Sequence, residues 1–421
     1  MISRQLESWL HANEGRPQVI HVMGLRQTGK TTLMDLFRKD FKDSLHYPLH
    51  DLVTLRRYEN RPENWVLEVE GELESRRGTS RLPLHVFVDE IQKIPSLFQA
   101  IQGLYDRHKG DLKFWIWGSS AVPQKRRRAE TLAGRVLIKT LWPFSQAELL
   151  GRESIVPLMT DPRKLRKAVT ATEPRGYLAT LGRWLTHSLL PEPNQTASLT
   201  QAQDLLLSFQ ATYLENEIRW ERLVRDLGIF EQTVLLAAAE SGSIANFLKM
   251  GRTVGTSSNT VKSFFEIMKD TFVCRMLPAF SRSLRVQISK SPKHYFTDVG
   301  LARFVSGERS ILEKTSANFG RHLEGFVVNE IFKQVEYHSL PWKLSYLRTK
   351  TGIEVDLIVS SEDVKFAVEV KAASRVDGSD LRAIRRIMEL DPTVSYGLLV
   401  SMQPAPFDLG GKLYNIPVWC L

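Results

Sequence analysis

The sequence predicts an α/β protein whose N-terminal part is a parallel sheet with helices on both faces. Apolar, β-branched runs in this part end in glycine, acids or small polar residues, as buried parallel strands do. Segments with helical periodicity separate the runs, and strands that alternate with helices form parallel sheets. The runs are VIHVMG at 19–24, LHVFVDE at 84–90, FWIWGSS at 114–120 and VLIKTLWP at 136–143.

The pattern changes after the sheet region. Residues 164–240 are mainly helical, and short helices punctuated by glycine and serine follow. Further on, a helix precedes two alternating strand segments, YLRTKTGIEVDLIVS and KFAVEVKA, and a helix at 378–389 follows them. We expect an N-terminal sheet domain, a helical lid with a winged-helix-like region, and a C-terminal α/β domain. Their expected spans are 1–150, 151–310 and 311–421.

Composition limits the class of protein. The chain has 421 residues, 43% of them hydrophobic and 25% charged, as in ordinary globular proteins. Its net charge of +10 favours an anionic partner, either nucleic acid or a membrane surface. Cys274 and Cys420 are the only cysteines, which argues against a disulfide framework or a zinc site. The residues MISRQLESWLHANEG do not have the apolar stretch typical of a signal peptide, and no apolar run reaches the roughly 18 residues of a membrane span. We therefore expect a cytoplasmic protein without a membrane partner.

The segment GLRQTGKTT at 24–32 fits the phosphate-loop pattern G-x-x-x-x-G-K-[ST]. Its glycines let backbone N–H groups face phosphates, and the following helix presents its positive end. Lys30 can reach the β- and γ-phosphates, and the hydroxyl of Thr31 can coordinate magnesium. Because the segment lies between an apolar strand and a helix, we expect it to bind ATP with magnesium. The expected nucleotide-binding residues are Gly24, Gly29, Lys30, Thr31 and Thr32.

Polar residues follow the next two predicted strands. Asp89 and Glu90 end one strand, where carboxylates can emerge beside the phosphate loop. We expect Asp89 to hold magnesium through water and Glu90 to orient and activate the attacking water. Ser119 or Ser120 ends the other strand, and its hydroxyl could sense the γ-phosphate.

These blocks resemble an AAA+ family of prokaryotic ATPases joined to a C-terminal region of formerly unknown function. The matching segments are GLRQTGKTT, VFVDEIQ, IWGSS and LAGR, followed by SPKHYFTDVGLA and HLEGFVVNE. The resemblance implies that Arg135 of LAGR contacts nucleotide, across a subunit boundary as an arginine finger. Arg126, Arg127 and Arg128 are competitors for that role, although an exposed arginine run also suits a solvated or DNA-facing loop. The resemblance further implies self-association into a ring or another oligomer.

Residues 241–270 predict a helix, a tight turn near Gly255 and a second helix capped by Ser257 or Ser258. Such a helix-turn-helix can enter the major groove of DNA, but the same geometry also serves plain packing. The outward residues of the second helix are expected to be Asn259, Thr260, Lys262 and Ser263, and the inward ones Phe264, Ile267 and Met268. A basic run favours DNA contact. It comprises Arg275, Arg282, Arg285, Lys290 and Lys293.

Acids and a lysine recur in the C-terminal domain. Glu369 and Lys371 lie two apart on a predicted strand and so share a face, where Asp356 of the neighbouring strand can meet them. Glu324 on the preceding helix could complete the cluster. Such carboxylates could hold magnesium while Lys371 positions or deprotonates a water that attacks a phosphodiester.

The order of these residues resembles the PD-(D/E)XK nuclease superfamily, whose fold is a mixed sheet flanked by helices. The resemblance implies a restriction-endonuclease-like domain, which can cleave DNA or be kept only for binding or packing. Arg348 and Lys350, just before the Asp356 strand, could contact a phosphate backbone or remain in solvent.

Two functions fit these features. The first is an ATPase that binds duplex or branched DNA and couples ATP turnover to remodelling or translocation, with cleavage by the C-terminal domain as an added activity. The second is a nucleotide-dependent switch that acts on protein partners in regulation or defence, with an inert nuclease-like domain.

Overall fold

The computed structural model describes residues 2–77, 83–119, 132–170, 172–219, 223–281, 287, 290–349, 351–373, 375–404 and 407–421. They fold into two compact units, residues 3–142 with 270–272 and residues 143–269 with 273–421. The regions expected as second and third domains thus lie together in the second unit. Several residues singled out from the sequence lie outside the described ranges. They are Ser120, Arg126, Arg127, Arg128, Arg282, Arg285 and Lys350.

The first unit contains the predicted parallel sheet. The described part of the sheet has five strands in the order β2-β3-β4-β1-β5. Strands β1 and β4 are buried along their whole length, because neighbouring strands and helices cover both faces. The strands are β1 Val19–Met23, β2 Leu45–Pro48, β3 Leu84–Asp89, β4 Leu112–Gly118 and β5 Val136–Thr140. The helices are α1 Gln5–His11, α2 Lys30–Arg38, α3 Leu52–Glu59, α4 Pro62–Ser75 and α5 Leu97–Arg107.

The strand register brings the candidate site residues to one edge of this sheet. Met23 at the end of β1 pairs with Gly118 at the end of β4, and Pro48 pairs with Asp89 at the ends of β2 and β3. Because all these strands run in the same direction, their C-terminal ends share one edge. The phosphate-loop segment and the residues after β3 and β4 therefore lie together.

The second unit begins with helices. They are α6 Gln146–Leu150, α7 Pro162–Ala168, α8 Tyr177–His187, α9 Pro191–Gln195, α10 Leu199–Thr212, α11 Leu227–Ala239, α12 Phe247–Val254, α13 Ser258–Asp270, α14 Val299–Val305, α15 Phe319–Tyr337 and α16 Arg382–Leu390. Among the helices of the described ranges, none is both long and apolar enough to cross a membrane.

The helix-turn-helix segment has the predicted local geometry. Gly255 ends α12 with a left-handed φ of 76°, and the N–H of Thr260 donates to Ser257 Oγ at 3.1 Å at the start of α13. Phe264 and Met268 are buried, and Ile267 is half-buried. On the opposite side, Asn259, Lys262 and Ser263 are exposed and Thr260 is half-buried. The hydrophobic spacing therefore assigned the inner and outer faces correctly.

The antiparallel pair β6 Cys274–Leu277 and β7 Lys293–Phe296 follows this segment. Its basic residues do not all face solvent. Arg275 is buried with its guanidinium 4.7 Å from the centre of the Phe332 ring, and Lys293 is buried among carboxylates, whereas Lys290 is exposed. The prediction that this run faces DNA is therefore wrong for Arg275 and Lys293.

A six-stranded mixed sheet forms the C-terminal part of the second unit, with the order β12-β13-β11-β10-β9-β8. β8, β9 and β10 are antiparallel neighbours, while β10, β11 and β13 run parallel. The strands are β8 Lys343–Arg348, β9 Glu354–Ser360, β10 Lys365–Lys371, β11 Val394–Ser401, β12 Asp408–Gly410 and β13 Leu413–Pro417.

The buried helix α15 carries an ion pair that joins it to the start of the second unit. Glu330 and Lys333 are both 1% exposed, and Lys333 Nζ lies 2.8 Å from Glu330 Oε1. Lys333 also donates to the carbonyl of Phe144 at 2.7 Å, and Glu330 accepts from the Gln146 N–H at 2.8 Å. These bonds satisfy both buried charges and fix residues 144–146 against the helix.

We expect Lys333→Met to lower the free energy of unfolding of the second unit by about 3–5 kcal/mol, because it leaves the Glu330 carboxylate buried without its counter-ion. Urea denaturation measures the change. Lys343→Met at an exposed position is the matched control and should leave stability unaltered to within about 0.5 kcal/mol. Equal midpoints for the two variants would contradict the role given to this pair.

Candidate functional site

The segment from Gly24 to Gly29 connects β1 to α2 as a tight loop. A Cβ on Gly24 would lie 2.3 Å from the carbonyl oxygen of Leu141, so only glycine fits there. Gly29 has a left-handed φ of 85° and precedes the first residue of α2. No side chain caps this helix, so the N–H groups of its first turn are available to an anion.

Lys30 folds its ammonium group into the loop. It is 5% exposed, and its Nζ donates to the carbonyls of Gly24 at 3.0 Å and Leu25 at 2.8 Å. The loop therefore concentrates positive charge at the N-terminus of α2. The structure places Thr32 on the exposed side of the first turn of this helix.

Thr31 and Asp89 meet at the edge of the sheet. The Thr31 hydroxyl donates to Asp89 Oδ2 at 2.8 Å, and Asp89 is fully buried. Burial raises the pKa of Asp89, and the neighbouring Glu90 raises it further, while the bond from Thr31 opposes the shift. A buried carboxylate beside a hydroxyl is a suitable donor set for a divalent cation. These two oxygen donors therefore fit magnesium.

Glu90, Gln92 and Ser119 form a polar cluster next to Asp89. Glu90 has a left-handed φ of 54°, a conformation that is uncommon for a residue other than glycine. Gln92 Nε2 donates to the Glu90 carboxylate and to Ser119 Oγ at 3.3 Å. The Ser119 hydroxyl lies 3.4 Å from Glu90 Oε2. The cluster orients the Glu90 carboxylate, and a role for Gln92 was not predicted from the sequence.

Arg4 is a second residue that the sequence analysis missed. Its buried guanidinium donates to the carbonyl of Thr28 in the loop at 2.7 Å and to the carbonyl of Trp142 after β5 at 2.6 Å. His50 after β2 also approaches the site, with Nδ1 3.6 Å from Asp89 Oδ2. A basic residue just before a short N-terminal helix gives no sequence signal for such a contact.

The structure places Arg135 away from this cluster. It precedes β5, and its carbonyl accepts from the N–H of Val19 at the start of β1, so it lies at the opposite edge of the sheet. Its Nε and Nη2 donate to Asp106 at 2.7 and 3.1 Å. Arg135 therefore lies at the edge of the sheet opposite the phosphate loop and does not join the cluster of Thr31, Asp89 and Glu90.

The C-terminal cluster contains all four residues expected from the sequence. Lys371 Nζ pairs with Glu369 Oε1 at 2.9 Å, and Asp356 Oδ2 accepts from the Val370 N–H at 2.9 Å. Burial raises the pKa of Asp356 well above its usual range, and Glu324 and Glu369 raise it further. Burial also raises the pKa of Glu369, against the lowering effect of Lys371.

This cluster does not fit the magnesium site that we expected from Glu324, Asp356 and Glu369. Lys293 pairs with Glu324 Oε1 at 3.0 Å and lies 4.0 Å from Asp356 Oδ1, so an ammonium group already neutralises the carboxylates. Across the ranges that the structure describes, no group of three or more His, Cys, Asp or Glu side chains is arranged to hold a metal ion. We therefore derive no metal-dependent step for this cluster.

Three family models match successive parts of the chain. A model described as an AAA domain matches residues 16–150. Two models described as domains of unknown function, DUF8612 and DUF4143, match residues 179–311 and 319–421. The first match covers the phosphate loop and all five strands of the parallel sheet. The first unit thus carries an AAA domain with the geometry of a P-loop nucleotide-binding site.

The chain is also similar to two mycobacterial proteins and to solved structures of other proteins. Uncharacterized proteins of Mycobacterium tuberculosis and Mycobacterium bovis are 23% identical over 363 residues, covering 85% of this chain and 71% of theirs. A Walker-type ATPase of Pyrococcus abyssi is 12% identical with a TM-score of 0.45, over 72% of this chain and 96% of that one. The Pif1 helicase of Candida albicans is 12% identical with a TM-score of 0.26, over 44% and 48% of the two chains.

We expect Arg4→Ala to weaken ATP binding about tenfold, because two charge-assisted bonds that hold the phosphate loop are lost. Equilibrium titration with a fluorescent ATP analogue and magnesium measures the change. Arg16→Ala, which removes an exposed arginine from the same N-terminal region, is the matched control and should bind as the unaltered protein does. Equal affinities for the two variants would show that Arg4 does not support the loop.

Proposed function

We propose that this protein binds ATP with magnesium at residues 24–32 and hydrolyses it. The observation that carries the proposal is the 2.8 Å contact between Thr31 and the buried Asp89, beside the Lys30 ammonium and the open N-terminus of α2. At this edge of the sheet, the ammonium group and the helix N-terminus provide positive charge for phosphates, and Thr31 and Asp89 provide oxygen donors for a divalent cation.

Each residue of the site has a distinct role in the proposed reaction. The phosphates bind to the Lys30 ammonium and to backbone N–H groups that follow Gly24 and Gly29. Thr31 and Asp89 would hold magnesium, which would neutralise part of the phosphate charge. Glu90 accepts a proton from the attacking water, and Ser119 senses the γ-phosphate through the shared contact with Gln92. Hydrolysis requires Glu90 to exchange its bond with Gln92 for one with water.

The proposal includes self-association that completes the site. Arg135 is partly exposed at the far edge of the sheet, where it could reach the nucleotide of an adjacent subunit in a ring. Its bidentate pair with Asp106 uses Nε and Nη2, so a phosphate that binds through these two nitrogens requires the pair to open. An arginine in this role stabilises charge that develops on the transferred phosphoryl group.

We propose DNA as the partner whose binding is coupled to ATP turnover. The net charge of +10 favours a polyanion, and α12 and α13 expose Lys249, Arg252 and Lys262. Gly255, with a left-handed φ of 76°, ends the first helix just before the second, which is the order of elements in a helix-turn-helix. Exposed lysine and arginine would supply the phosphate contacts from which most non-specific affinity comes.

The alternative function is a nucleotide-dependent switch that acts on protein partners. The burial of Arg275 and Lys293 favours it, because these two charges do not contribute to a DNA-facing surface. In this alternative, ATP hydrolysis resets the conformation of the protein. The C-terminal domain, which resembles nucleases, serves as a scaffold and not as an enzyme.

ATP turnover with and without DNA separates the two functions. We expect hydrolysis to rise when duplex or branched DNA is added and to be absent from Lys30→Ala, which serves as the blank. DNA affinity should fall steeply with salt, and Arg252→Ala or Lys262→Ala should each reduce the slope of that dependence by about 1. Lys343→Ala is the exposed control outside the helix-turn-helix.

Hydrolysis that ignores every form of DNA, together with no DNA binding at low salt, would refute the DNA proposal. That result would leave the ATPase proposal intact and favour the protein-partner switch.

A further inference from the structure

The centre of the C-terminal acidic cluster contains a lysine from outside that domain's sheet. Lys293 lies on β7 and is 3% exposed. Its Nζ lies 3.0 Å from Glu324 Oε1, 2.5 Å from Glu354 Oε1 and 4.0 Å from Asp356 Oδ1. A single ammonium group is thus surrounded by carboxylates from helix α15 and strand β9.

The neighbouring residues complete the coordination of these charges. Tyr295, two positions further along β7, donates its hydroxyl to the same Glu324 oxygen at 2.6 Å. Arg348 Nη1 lies 3.7 Å from the other oxygen of Glu354. An ammonium group that is removed from water requires such partners, since burial of an unpaired charge costs far more free energy than it can recover by packing.

The same oxygens are the ones that a divalent cation would need. Magnesium and manganese bind through carboxylate oxygens and are repelled by a fixed positive charge at the same position. The Lys293 ammonium therefore lies where a cation shared by Glu324 Oε1 and Asp356 Oδ1 would bind. Lys371 adds a second positive charge beside Glu369 at 2.9 Å.

We propose that the Lys293 ammonium is the permanent cation of this cluster and that the cluster binds no divalent metal. The ion pairs of Lys293 instead stabilise the contact of β7 with α15 and β9. The C-terminal domain then has a structural role at this position and does not cleave phosphodiesters by metal catalysis. The proposal is independent of the ATPase and DNA proposals, because its residues and its test involve neither ligand.

Thermal unfolding of the nucleotide-free full chain tests whether Lys293 stabilises the contact of β7 with α15 and β9. We expect Lys293→Met to lower the Tm by about 10 °C, because the carboxylates lose their counter-ion in a buried environment. Lys290→Met, at an exposed position close to the start of the same strand, is the control and should leave the Tm unaltered. An unchanged Tm for Lys293→Met would overturn the proposal.

Manganese binding tests the exclusion of metal and does not require the Lys293 variant to fold. Calorimetric titration of Mn²⁺ into the chelator-treated, nucleotide-free protein should give the same isotherm for the unaltered chain and for Asp356→Asn. Any manganese that binds at Asp89 contributes equally to the two isotherms and does not affect their difference. A binding event that is present in the unaltered chain and lost in Asp356→Asn would overturn the proposal.

Discussion

The nucleotide site depends on the common direction of three adjacent strands. Because β1, β3 and β4 are parallel, the phosphate loop, Asp89 and Ser119 leave the sheet at the same edge although they are distant in sequence. Both faces of β1 and β4 are buried along their whole length, so hydrophobic packing holds these strands in the interior of the sheet. Hydrophobic packing thus positions a fully buried carboxylate against a hydroxyl donor.

The two halves of the chain stabilise buried carboxylates in different ways. Asp89 receives a bond from Thr31 and lies 3.6 Å from His50, and burial raises its pKa. In the proposed function, magnesium would supply the counter-charge at this position. In the C-terminal cluster the cation is a side chain, because Lys293 contacts Glu324 directly. Similar acidic residues thus have opposite functional consequences, and the position of one lysine decides between them.

Local patterns predicted much of the fold and of the nucleotide site. Four apolar runs became strands of the parallel sheet, and Ser257, Phe264 and Met268 took their predicted positions because capping and helical spacing act over a few residues. The pattern did not reveal that Arg275 and Lys293 are buried, since their partners lie on elements later in the chain. For the same reason, the sequence offered no sign that Arg4 holds the phosphate loop.

The central claim is that the edge formed by residues 24–32, Asp89 and Glu90 binds ATP and hydrolyses it. Parallel measurement of ATP affinity and turnover in Glu90→Gln tests this claim most directly, because the variant keeps the shape of the side chain and removes its basicity. We expect unchanged affinity and a loss of turnover of about 10²–10⁴-fold, the usual contribution of a general base. Turnover at the rate of the unaltered protein would contradict the role of Glu90, and absence of ATP binding in both proteins would contradict the site itself.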